Sequence, residues 1–583
     1  MQWERMVRTA LLLGVVCGVA PEGAAGAAAG PEVFALSSLV TVRPWGTPRG
    51  GKAAMLEAAR GEWESFQVVV RAGPRALPGV TVSMTPLVGP GKARIEEVRV
   101  YRVGFVSLDT PSNVEGATGP WPDPLIPARD AYAGEERRAF PVAVPARHDA
   151  AAWIDVFVPP TARPGRYRGE VRVQDGDRLL GRVPVTLEVH RFTLPATSSL
   201  PVTFGFALDL ALRGHFPAPE PRKIATDHPA QAADELWPRY ALAALRHRIS
   251  LHGGSCSPPD FVVDSAGEMH LDFGPYDREV GPFLDGTADR DGPAAGARWS
   301  TLDLRVPARL QGEARTAYVR AMVRHLGERR WLDRVFDYTI DEPSDAQLGE
   351  TRRRAAVLRE ATLAVPRLVT HPLHPDLLGA VDIWCPVVNR VDDKPDGDGA
   401  PGRAAYEERL GQGERLWWYQ SCMSHGCDIV GGSYFTGWPS LVIDSSPVQQ
   451  RILEWLSFRY RMGGELYYNT IEAYDGDPWR TSYRHGGNGD GTLFYPGRPE
   501  VIGGQSHIPI ESIRLKRIRD GLEDYEYLHL YEARAGFAAA DALARRVAER
   551  TYRFRRDPRR LLDVRHELAR RLDAAPEQIT LQP

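Results

Sequence analysis

The sequence predicts a multidomain α/β protein, in which an antiparallel β-sandwich precedes a (β/α)8 barrel and a small helical region ends the chain. The chain has 583 residues, which is too many for a single hydrophobic core. Short apolar runs separated by turn residues fill residues 33–195, as is typical of a sandwich. Residues 200–530 alternate strand and helix patterns, and residues 531–583, rich in alanine and arginine, predict a helical appendage.

The first 29 residues have the composition of a cleaved secretory signal peptide. Arg5 and Arg8 precede an apolar run at residues 10–20, and small residues follow it. The run is too short for a permanent membrane span. Cys17 could carry a lipid, but Val16 stands where a small residue would be expected, so lipoprotein anchoring is not favoured. We therefore expect an exported protein, periplasmic or extracellular, without stable membrane insertion.

Charge and composition exclude one class of partner. The formal net charge is -3, and lysine and arginine are spread along the chain instead of forming a basic block. We therefore expect no nucleic-acid partner. The sequence does not indicate an oligomeric state.

Four cysteines lie beyond the predicted signal: Cys256, Cys385, Cys422 and Cys427. With His425, the last two could supply three metal ligands, but a fourth ligand and a second cluster are lacking in the sequence around them. The favoured interpretation is a local disulfide between Cys422 and Cys427, or free thiols. We predict neither a metal nor a cofactor.

Apolar runs predict barrel strands at residues 202–207, 334–340, 367–370, 381–384, 414–419 and 465–469. By strand alternation, Trp417 and Tyr419 should share one face and Trp418 the other, with one set facing the barrel interior. A doubly wound sheet is the alternative, but no glycine-rich phosphate turn follows the first strand.

A helix is predicted at residues 513–531. Leu515, Ile518, Leu522 and Tyr525 form an apolar stripe, and many basic and acidic residues flank it. We interpret this pattern as a surface helix with paired charges.

The pair Asp341-Glu342 directly follows the predicted strand at residues 334–340. Reacting groups of barrel enzymes collect at this end of the strands. Neighbouring strand residues face opposite sides, so both carboxylates reach the barrel mouth only if the backbone turns. Pro343 should restrict Glu342 to an extended conformation. An acidic helix N-terminus that begins at Pro343 is the alternative interpretation.

Aromatic and polar side chains recur at the ends of the other predicted strands. Flat aromatic rings suit the apolar C–H faces of sugars, and their polar groups add hydrogen bonds. The predicted substrate-binding residues are Tyr338, His371, Trp384, Trp417, Tyr419, Tyr468, Asn469 and Trp479.

Several segments of the chain resemble glycoside hydrolase family 123, whose catalytic domain was once catalogued as domain of unknown function 4091. Gly61-Glu-Trp-Glu-Ser-Phe-Gln67 is similar to the sandwich domain that precedes the family's barrel, and the whole resemblance spans residues 35–530. The segments in the barrel are Tyr338-Thr-Ile-Asp-Glu-Pro343, Leu416-Trp-Trp-Tyr419, Asp477-Pro-Trp479, Gly489-Asp-Gly491 with Tyr495-Pro-Gly497, and residues 512–527.

This resemblance implies a retaining, substrate-assisted β-N-acetylhexosaminidase that acts on β-linked N-acetylgalactosamine. The substrate's own 2-acetamido oxygen would attack the anomeric carbon and form an oxazolinium-type intermediate. Glu342 would be the general acid/base, and Asp341 would accept the acetamido N–H. Tyr419 or Tyr468 would steady the acetamido oxygen. A conventional retaining glycosidase instead needs two opposed carboxylates, about 5–5.5 Å apart.

Two other functions stay open at this point. A glycosidase for a different sugar would pair Glu342 with a separate nucleophile such as Glu472, Asp475 or Asp477. A non-catalytic carbohydrate-binding protein would keep the barrel without turnover. Residues 421–434 do not match members of known specificity, so the sugar, the linkage and exo or endo action are not predicted.

Overall fold

The computed structural model describes residues 30–218, 223–254, 257–392, 394–395, 397, 399, 401–425 and 433–574. The predicted signal peptide at residues 1–29 and the predicted disulfide partner Cys427 lie outside these residues. Within them, every helix is too short or too polar to cross a membrane.

The region from Glu32 to Thr193 consists of strands in two facing sheets. Its strands are β1 Glu32–Ser37, β2 Ala54–Arg60, β3 Glu62–Arg71, β4 Leu77–Met84, β5 Leu87–Val88, β6 Arg94–Ile95, β7 Val98–Leu108, β8 Gly119–Pro127, β9 Val142–Val144, β10 Asp149–Val158, β11 Gly165–Asp175 and β12 Arg178–Thr193. One sheet has the order β1-β3-β10-β7-β8, and the other has the order β2-β12-β11-β4-β9, with β5 and β6 beside β11. The pairs are antiparallel except β2 with β12.

Apolar side chains from both sheets fill the space between them. Val68 and Val70 of β3 are buried there with Val171 of β11 and Val183 of β12. The first sheet is apolar on its other face too, where Trp153 packs in a cluster that includes Ile513. This second apolar face joins the sandwich to the rest of the protein.

The remaining strands lie between Val202 and Phe554. They are β13 Val202–Ala207, β14 Ser250–Gly254, β15 Asp260–Val263, β16 Met269–Asp272, β17 Leu302–Asp303, β18 Val335–Ile340, β19 Arg367–Val369, β20 Ile383–Trp384, β21 Arg415–Leu416, β22 Trp418–Tyr419, β23 Glu465–Tyr467, β24 Tyr483–Arg484, β25 Gly487–Asn488, β26 Phe494–Gly497, β27 Ile508–Glu511, β28 Ala548–Arg550 and β29 Arg553–Phe554.

The α-helices of the described chain all follow the sandwich. They are α1 Leu208–His215, α2 Pro229–Arg246, α3 Gly274–Asp285, α4 Gly312–Glu328, α5 Leu348–Ala361, α6 Glu407–Gly411, α7 Cys422–His425, α8 Leu453–Arg459, α9 Pro499–Ile502, α10 Ile513–Ala535, α11 Phe537–Ala544 and α12 Pro558–Asp573. The predicted multidomain α/β class is confirmed.

Two parallel sheets form the centre of the region that follows the sandwich. Their orders are β17-β18-β19-β20-β21 and β14-β13-β23-β22, and they meet where β22 follows β21. Between β14 and β17 the contact includes a side-chain hydrogen bond, in which the Gly253 N–H donates to Asp303 Oδ2 at 3.1 Å. No backbone ladder joins these two strands in the described part of the chain. The closed (β/α)8 barrel therefore stays a prediction, although its parallel strands are present.

The predicted alternation along residues 417–419 is confirmed. Trp417 and Tyr419 are buried in one cluster with Phe336 of β18, which lies inside the parallel strands. Trp418 belongs to a different cluster, and its indole N–H donates to Ser457 Oγ of α8 at 2.8 Å. Tyr419 therefore faces the interior of the parallel strands, and Trp418 connects this strand to α8.

Helix α10 differs from the predicted surface helix. Its apolar stripe is buried as expected, with Leu515, Ile518 and Leu522 in the largest core cluster. However, Arg514, Lys516 and most of the other charged side chains of the helix are also buried. The prediction of a solvent-exposed charged face was wrong because oppositely charged groups from other parts of the chain cover it.

The sandwich supplies carboxylates to this buried helix. Asp123 of β8 pairs with Arg514 at 2.8 Å, and Asp155 of β10 pairs with Lys516 at 2.8 Å and with Arg519 at 3.1 Å. Burial opposes ionisation of Asp155, yet Lys516 and Arg519 together hold its pKa well below the usual value. Asp155 therefore remains ionised and paired across the domain contact.

Asp123→Asn tests the importance of this contact for stability. Removing one partner leaves the Arg514 guanidinium buried without its counter-charge, so we expect the free energy of unfolding to fall by about 3–5 kcal/mol. Urea denaturation followed by tryptophan fluorescence measures the change. The control is Glu350→Gln, which breaks exposed ion pairs with Arg353 and Arg354 and should have little effect. Equal, small changes in both variants would contradict the expectation.

Candidate active site

The Asp341-Glu342 pair lies at a sharp backbone turn directly after β18. Both residues are exposed, and Glu342 has a φ of +39°. The prediction of an extended Glu342 was therefore wrong. A positive φ is uncommon for a residue with a side chain and costs free energy. A hydrogen bond from the Glu342 N–H to Thr370 Oγ1, 2.7 Å long, holds the strained turn.

Asp341 is fixed through one of its two carboxylate oxygens. Tyr338 Oη donates to Asp341 Oδ1 at 2.7 Å, and Thr370 Oγ1 donates to the same oxygen at 2.9 Å. The other oxygen, Oδ2, has no hydrogen-bond partner among the described residues. The carboxylate is thus oriented by the protein and keeps one accepting oxygen for a ligand.

Glu342 has a similar asymmetry. Tyr419 Oη donates to Glu342 Oε1, and Oε2 has no partner in the described part of the chain. Burial and the adjacent Glu342 carboxylate raise the pKa of Tyr419 well above its usual value, so its hydroxyl keeps its proton as a donor. The strand that carries Tyr419 therefore determines where the Glu342 side chain lies.

Tyr338 supports Asp341 from inside the strands. Burial, with the Asp341 carboxylate as a second cause, raises the pKa of Tyr338 well above its usual value. The ring of His252 on β14 packs edge-on against Tyr338 with 5.7 Å between centroids. Burial lowers the pKa of His252 to about 3, so this imidazole is neutral near pH 7. The hydroxyl of Tyr338 is therefore positioned by a rigid, uncharged neighbour.

Tyr468 and Asn469 follow β23 and hold a polar network. Tyr468 Oη donates to Asp490 Oδ2 at 3.1 Å, and Asn469 Nδ2 donates to Glu472 Oε2 at 2.5 Å. A β-carbon at Gly205, at the end of β13, would lie 1.9 Å from the Tyr468 carbonyl oxygen. Only glycine permits β13 and this segment to approach so closely.

The three tyrosines at these strand ends all donate to carboxylates, namely Tyr338, Tyr419 and Tyr468. A tyrosine hydroxyl has a single proton. Tyr419 or Tyr468 would therefore have to release its carboxylate before it could donate to a substrate.

Two predicted substrate-binding tryptophans are buried. Trp384 is 1% exposed and its indole N–H donates to Glu414 Oε2 at 2.6 Å. Trp417 packs against Phe336, and its indole N–H lacks a partner among the described residues. Both contribute to the core around the site in this conformation, and their contact with substrate stays a prediction.

His371 and Trp479 lie near the surface and make local contacts. His371 follows β19, and its Nδ1 lies 2.7 Å from the Pro372 carbonyl oxygen. The indole N–H of Trp479 donates to the Pro496 carbonyl at 3.0 Å, and its ring packs on Tyr495. Trp479 therefore packs beside the sandwich, in a cluster that includes Val106.

Each carboxylate considered as a separate nucleophile is engaged with a basic side chain. Glu472 Oε1 lies 3.1 Å from His485 Nε2. Asp475 pairs with Arg484 at 2.5 Å, whereas Asp477 lies 3.3 Å from Arg498. None of these three contacts involves Asp341 or Glu342.

Sequence reasoning missed two residues that shape the site, Thr370 and Asp490. Thr370 marks the end of a predicted strand, but the neighbouring histidine had the more obvious chemistry. Asp490 stands between Gly489 and Gly491, which have φ values of +76° and +67°. The sequence resemblance includes Gly489-Asp-Gly491, but Asp490 was not among the predicted site residues, although a carboxylate between two glycines is a signal for such a role.

The segment from Cys422 to His425 forms α7 beside Asp490. Cys422 is disulfide-bonded and its partner lies outside the described residues, so the pairing with Cys427 stays a prediction. His425 Nε2 lies 3.9 Å from Asp490 Oδ1. The three side chains are close enough to surround an ion, but a disulfide sulfur is not the thiolate that a metal binds. They therefore do not form a metal site in this oxidised state.

The Tyr338–Asp341–Thr370 contact and the Tyr419–Glu342 contact lie within a region that matches a known family model. Residues 311–531 match the model described as glycoside hydrolase 123, catalytic domain. Curated proteins gave no match to the chain.

One solved structure is similar over nearly the whole chain. A family 123 glycoside hydrolase from Clostridium perfringens, described in relation to glycolipid glycan hydrolysis, is 15% identical with a TM-score of 0.62, covering 94% of this chain and 97% of its own. A family 39 glycoside hydrolase from Bacteroides cellulosilyticus is 10% identical with a TM-score of 0.27, covering 81% of each chain, and its similarity is too low to carry an argument. The similarity to the Clostridium perfringens structure supports the fold of this chain. The family match assigns residues 311–531 to the catalytic domain of glycoside hydrolase family 123, a family of enzymes that hydrolyse glycosidic bonds.

Proposed function

We propose that this protein is a retaining, substrate-assisted β-N-acetylhexosaminidase that acts on β-linked N-acetylgalactosamine. The observation that carries the proposal is the asymmetric anchoring of Asp341 and Glu342. Each carboxylate has one oxygen held by a hydroxyl and one oxygen without a partner among the described residues. Because the two residues are consecutive, they can act on neighbouring groups of one sugar, the 2-substituent and the glycosidic oxygen.

Asp341 would accept a hydrogen bond from the 2-acetamido N–H through its Oδ2. This bond would orient the acetamido oxygen toward the anomeric carbon and would stabilise the positive charge that develops as the ring closes. Tyr338 and Thr370 occupy Oδ1, so the carboxylate cannot rotate freely away from the sugar. Pre-orientation of this kind lowers the barrier to an intramolecular attack.

Glu342 would transfer the proton. In the first step it would protonate the leaving glycosidic oxygen as the C1–O bond breaks and the acetamido oxygen bonds to C1. In the second step it would remove a proton from the water that opens the oxazolinium-type ring, giving retention of configuration. Tyr419 would keep the Glu342 side chain in place through both steps.

The substrate of a glycoside hydrolase is a carbohydrate or glycoconjugate. The similar enzyme from Clostridium perfringens is described in relation to glycolipid glycans, and we propose a glycan of that class here. The composition of residues 1–29 supports export to a compartment where such glycans occur.

Matched aryl glycosides test the reaction. We expect turnover of the aryl β-N-acetylgalactosaminide and none of the aryl β-galactoside, since only the first carries the internal nucleophile. Release of the chromophore measures both rates. Equal turnover of the two glycosides would overturn the proposal in favour of a separate carboxylate nucleophile, and absence of turnover with retained binding would favour a carbohydrate-binding protein.

Asp341→Asn tests the orienting role. Loss of the anionic acceptor should reduce kcat on the acetamido substrate about 10²–10³-fold, while the unfolding midpoint stays near that of the wild type. Asp475→Asn is the matched control, because Asp475 pairs with Arg484 in an exposed position. A loss in Asp341→Asn no larger than that of the control would contradict the assigned role.

Thr370→Val tests the turn itself. Valine has nearly the shape of threonine but cannot accept from the Glu342 N–H or donate to Asp341. We expect kcat to fall about 10–100-fold with little change in KM, because two hydrogen bonds to charged or strained groups disappear. Thr370→Ser restores the hydroxyl and should recover most of the activity. A serine variant as inactive as the valine variant would show that the methyl group, not the hydroxyl, is important.

A further inference from the structure

A cavity lies away from the Asp341-Glu342 pair, where the C-terminal region meets the domain that carries this pair. Its volume is about 400 Å³. It is bordered by α6, which precedes β21, and by residues 459–461, which precede β23. Because β18, β21 and β23 run parallel, this is the opposite end of the strands from the proposed active site.

The lining of this cavity is rich in arginine, and carboxylates pair with most of these side chains. Among the described residues, the carboxylates that share this lining are Glu407 and Glu549, and Asp392 and Asp541 pair with lining arginines from behind. Six guanidinium groups are thus matched by four carboxylates, which leaves an excess of positive charge. The arginines are Arg403, Arg459, Arg461, Arg545, Arg550 and Arg553.

Arg461 differs from the others. It is exposed and has no carboxylate partner among the described residues. Its guanidinium lies 4.6 Å from the centroid of the Phe537 ring, a stacked arrangement that orients its N–H groups. Its backbone has a φ of +52°, a strained conformation for a residue with a side chain. A strained, stacked and unpaired arginine at a cavity indicates an anion-binding function.

We propose that this cavity binds an acidic sugar, a single pyranose that bears a carboxylate or sulfate group. Arginine forks recognise such planar or tetrahedral oxyanions with paired hydrogen bonds. Arg461 covers part of the Phe537 ring, so the exposed remainder of that ring and the half-buried Tyr460 ring supply the apolar surface for the sugar's C–H groups. The volume suits one ring rather than an extended polyanion, and the chain's net charge of -3 provides no general attraction for polyanions. This site does not depend on the proposed reaction.

Calorimetric titration of the full chain tests the proposal with three probes: methyl β-D-glucuronide, methyl β-D-glucoside and inorganic sulfate. The two glycosides differ only in the carboxylate. We expect the glucuronide to bind at least about tenfold more tightly than the glucoside, because a charged hydrogen bond is lost in the neutral sugar. Equal affinities for the two glycosides would overturn the site. Sulfate binding as tight as glucuronide binding would overturn its assignment to a sugar.

Variants locate the binding. Arg461→Ala should weaken glucuronide binding about tenfold or more, and Arg461→Gln, which keeps the apolar stem, should do the same. Arg352→Ala removes an exposed arginine of α5 and is the matched control. Glu342→Gln should bind the glucuronide like the wild type if the ligand occupies this cavity, whether or not the proposed hydrolysis is correct. Unchanged binding in both Arg461 variants, or loss of binding in Glu342→Gln, would contradict the proposal.

Discussion

The buried ionic contact between the sandwich and α10 is the constraint on which the rest of the structure depends. Asp123 and Asp155 reach from the first sheet of the sandwich to basic residues of the helix that would otherwise be buried without counter-charges. Buried ion pairs add little net stability, but loss of one partner is costly. Such a contact permits one relative arrangement of the two domains and penalises all others.

The same contact extends to the candidate active site. Arg514 Nη1 donates to the carbonyl oxygen of Gly489 at 2.7 Å, so the helix that binds the sandwich also holds the loop beside Asp490. Tyr467 Oη accepts from the Gly491 N–H at 2.7 Å, and Tyr468 donates to Asp490. The β23 end of the site is therefore fixed through α10, the same helix that packs against the sandwich.

Parts of this arrangement could be predicted from sequence because they follow local rules. Period-two alternation correctly assigned Trp417 and Tyr419 to one face and Trp418 to the other. The pattern of apolar and charged residues in α10 predicted an exposed charged face. That face is buried instead, because its partners lie hundreds of residues away in the sequence. The backbone conformation of Glu342 was predicted wrongly for a similar reason. The presence of Pro343 alone predicts an extended Glu342, whereas a hydrogen bond to Thr370, at the end of the neighbouring strand, holds Glu342 in a turn.

We propose that the substrate's own acetamido oxygen is the nucleophile. Asp341 would orient the acetamido group, and Glu342 would transfer the proton. Replacing the acetamido methyl hydrogens by fluorine withdraws electrons from that oxygen while changing its size little. The most direct test is the rate of hydrolysis across aryl glycosides with zero to three such fluorines. We expect a steep, progressive fall in kcat with each fluorine. Rates that do not depend on fluorination would show that the oxygen takes no part in the attack and would contradict it.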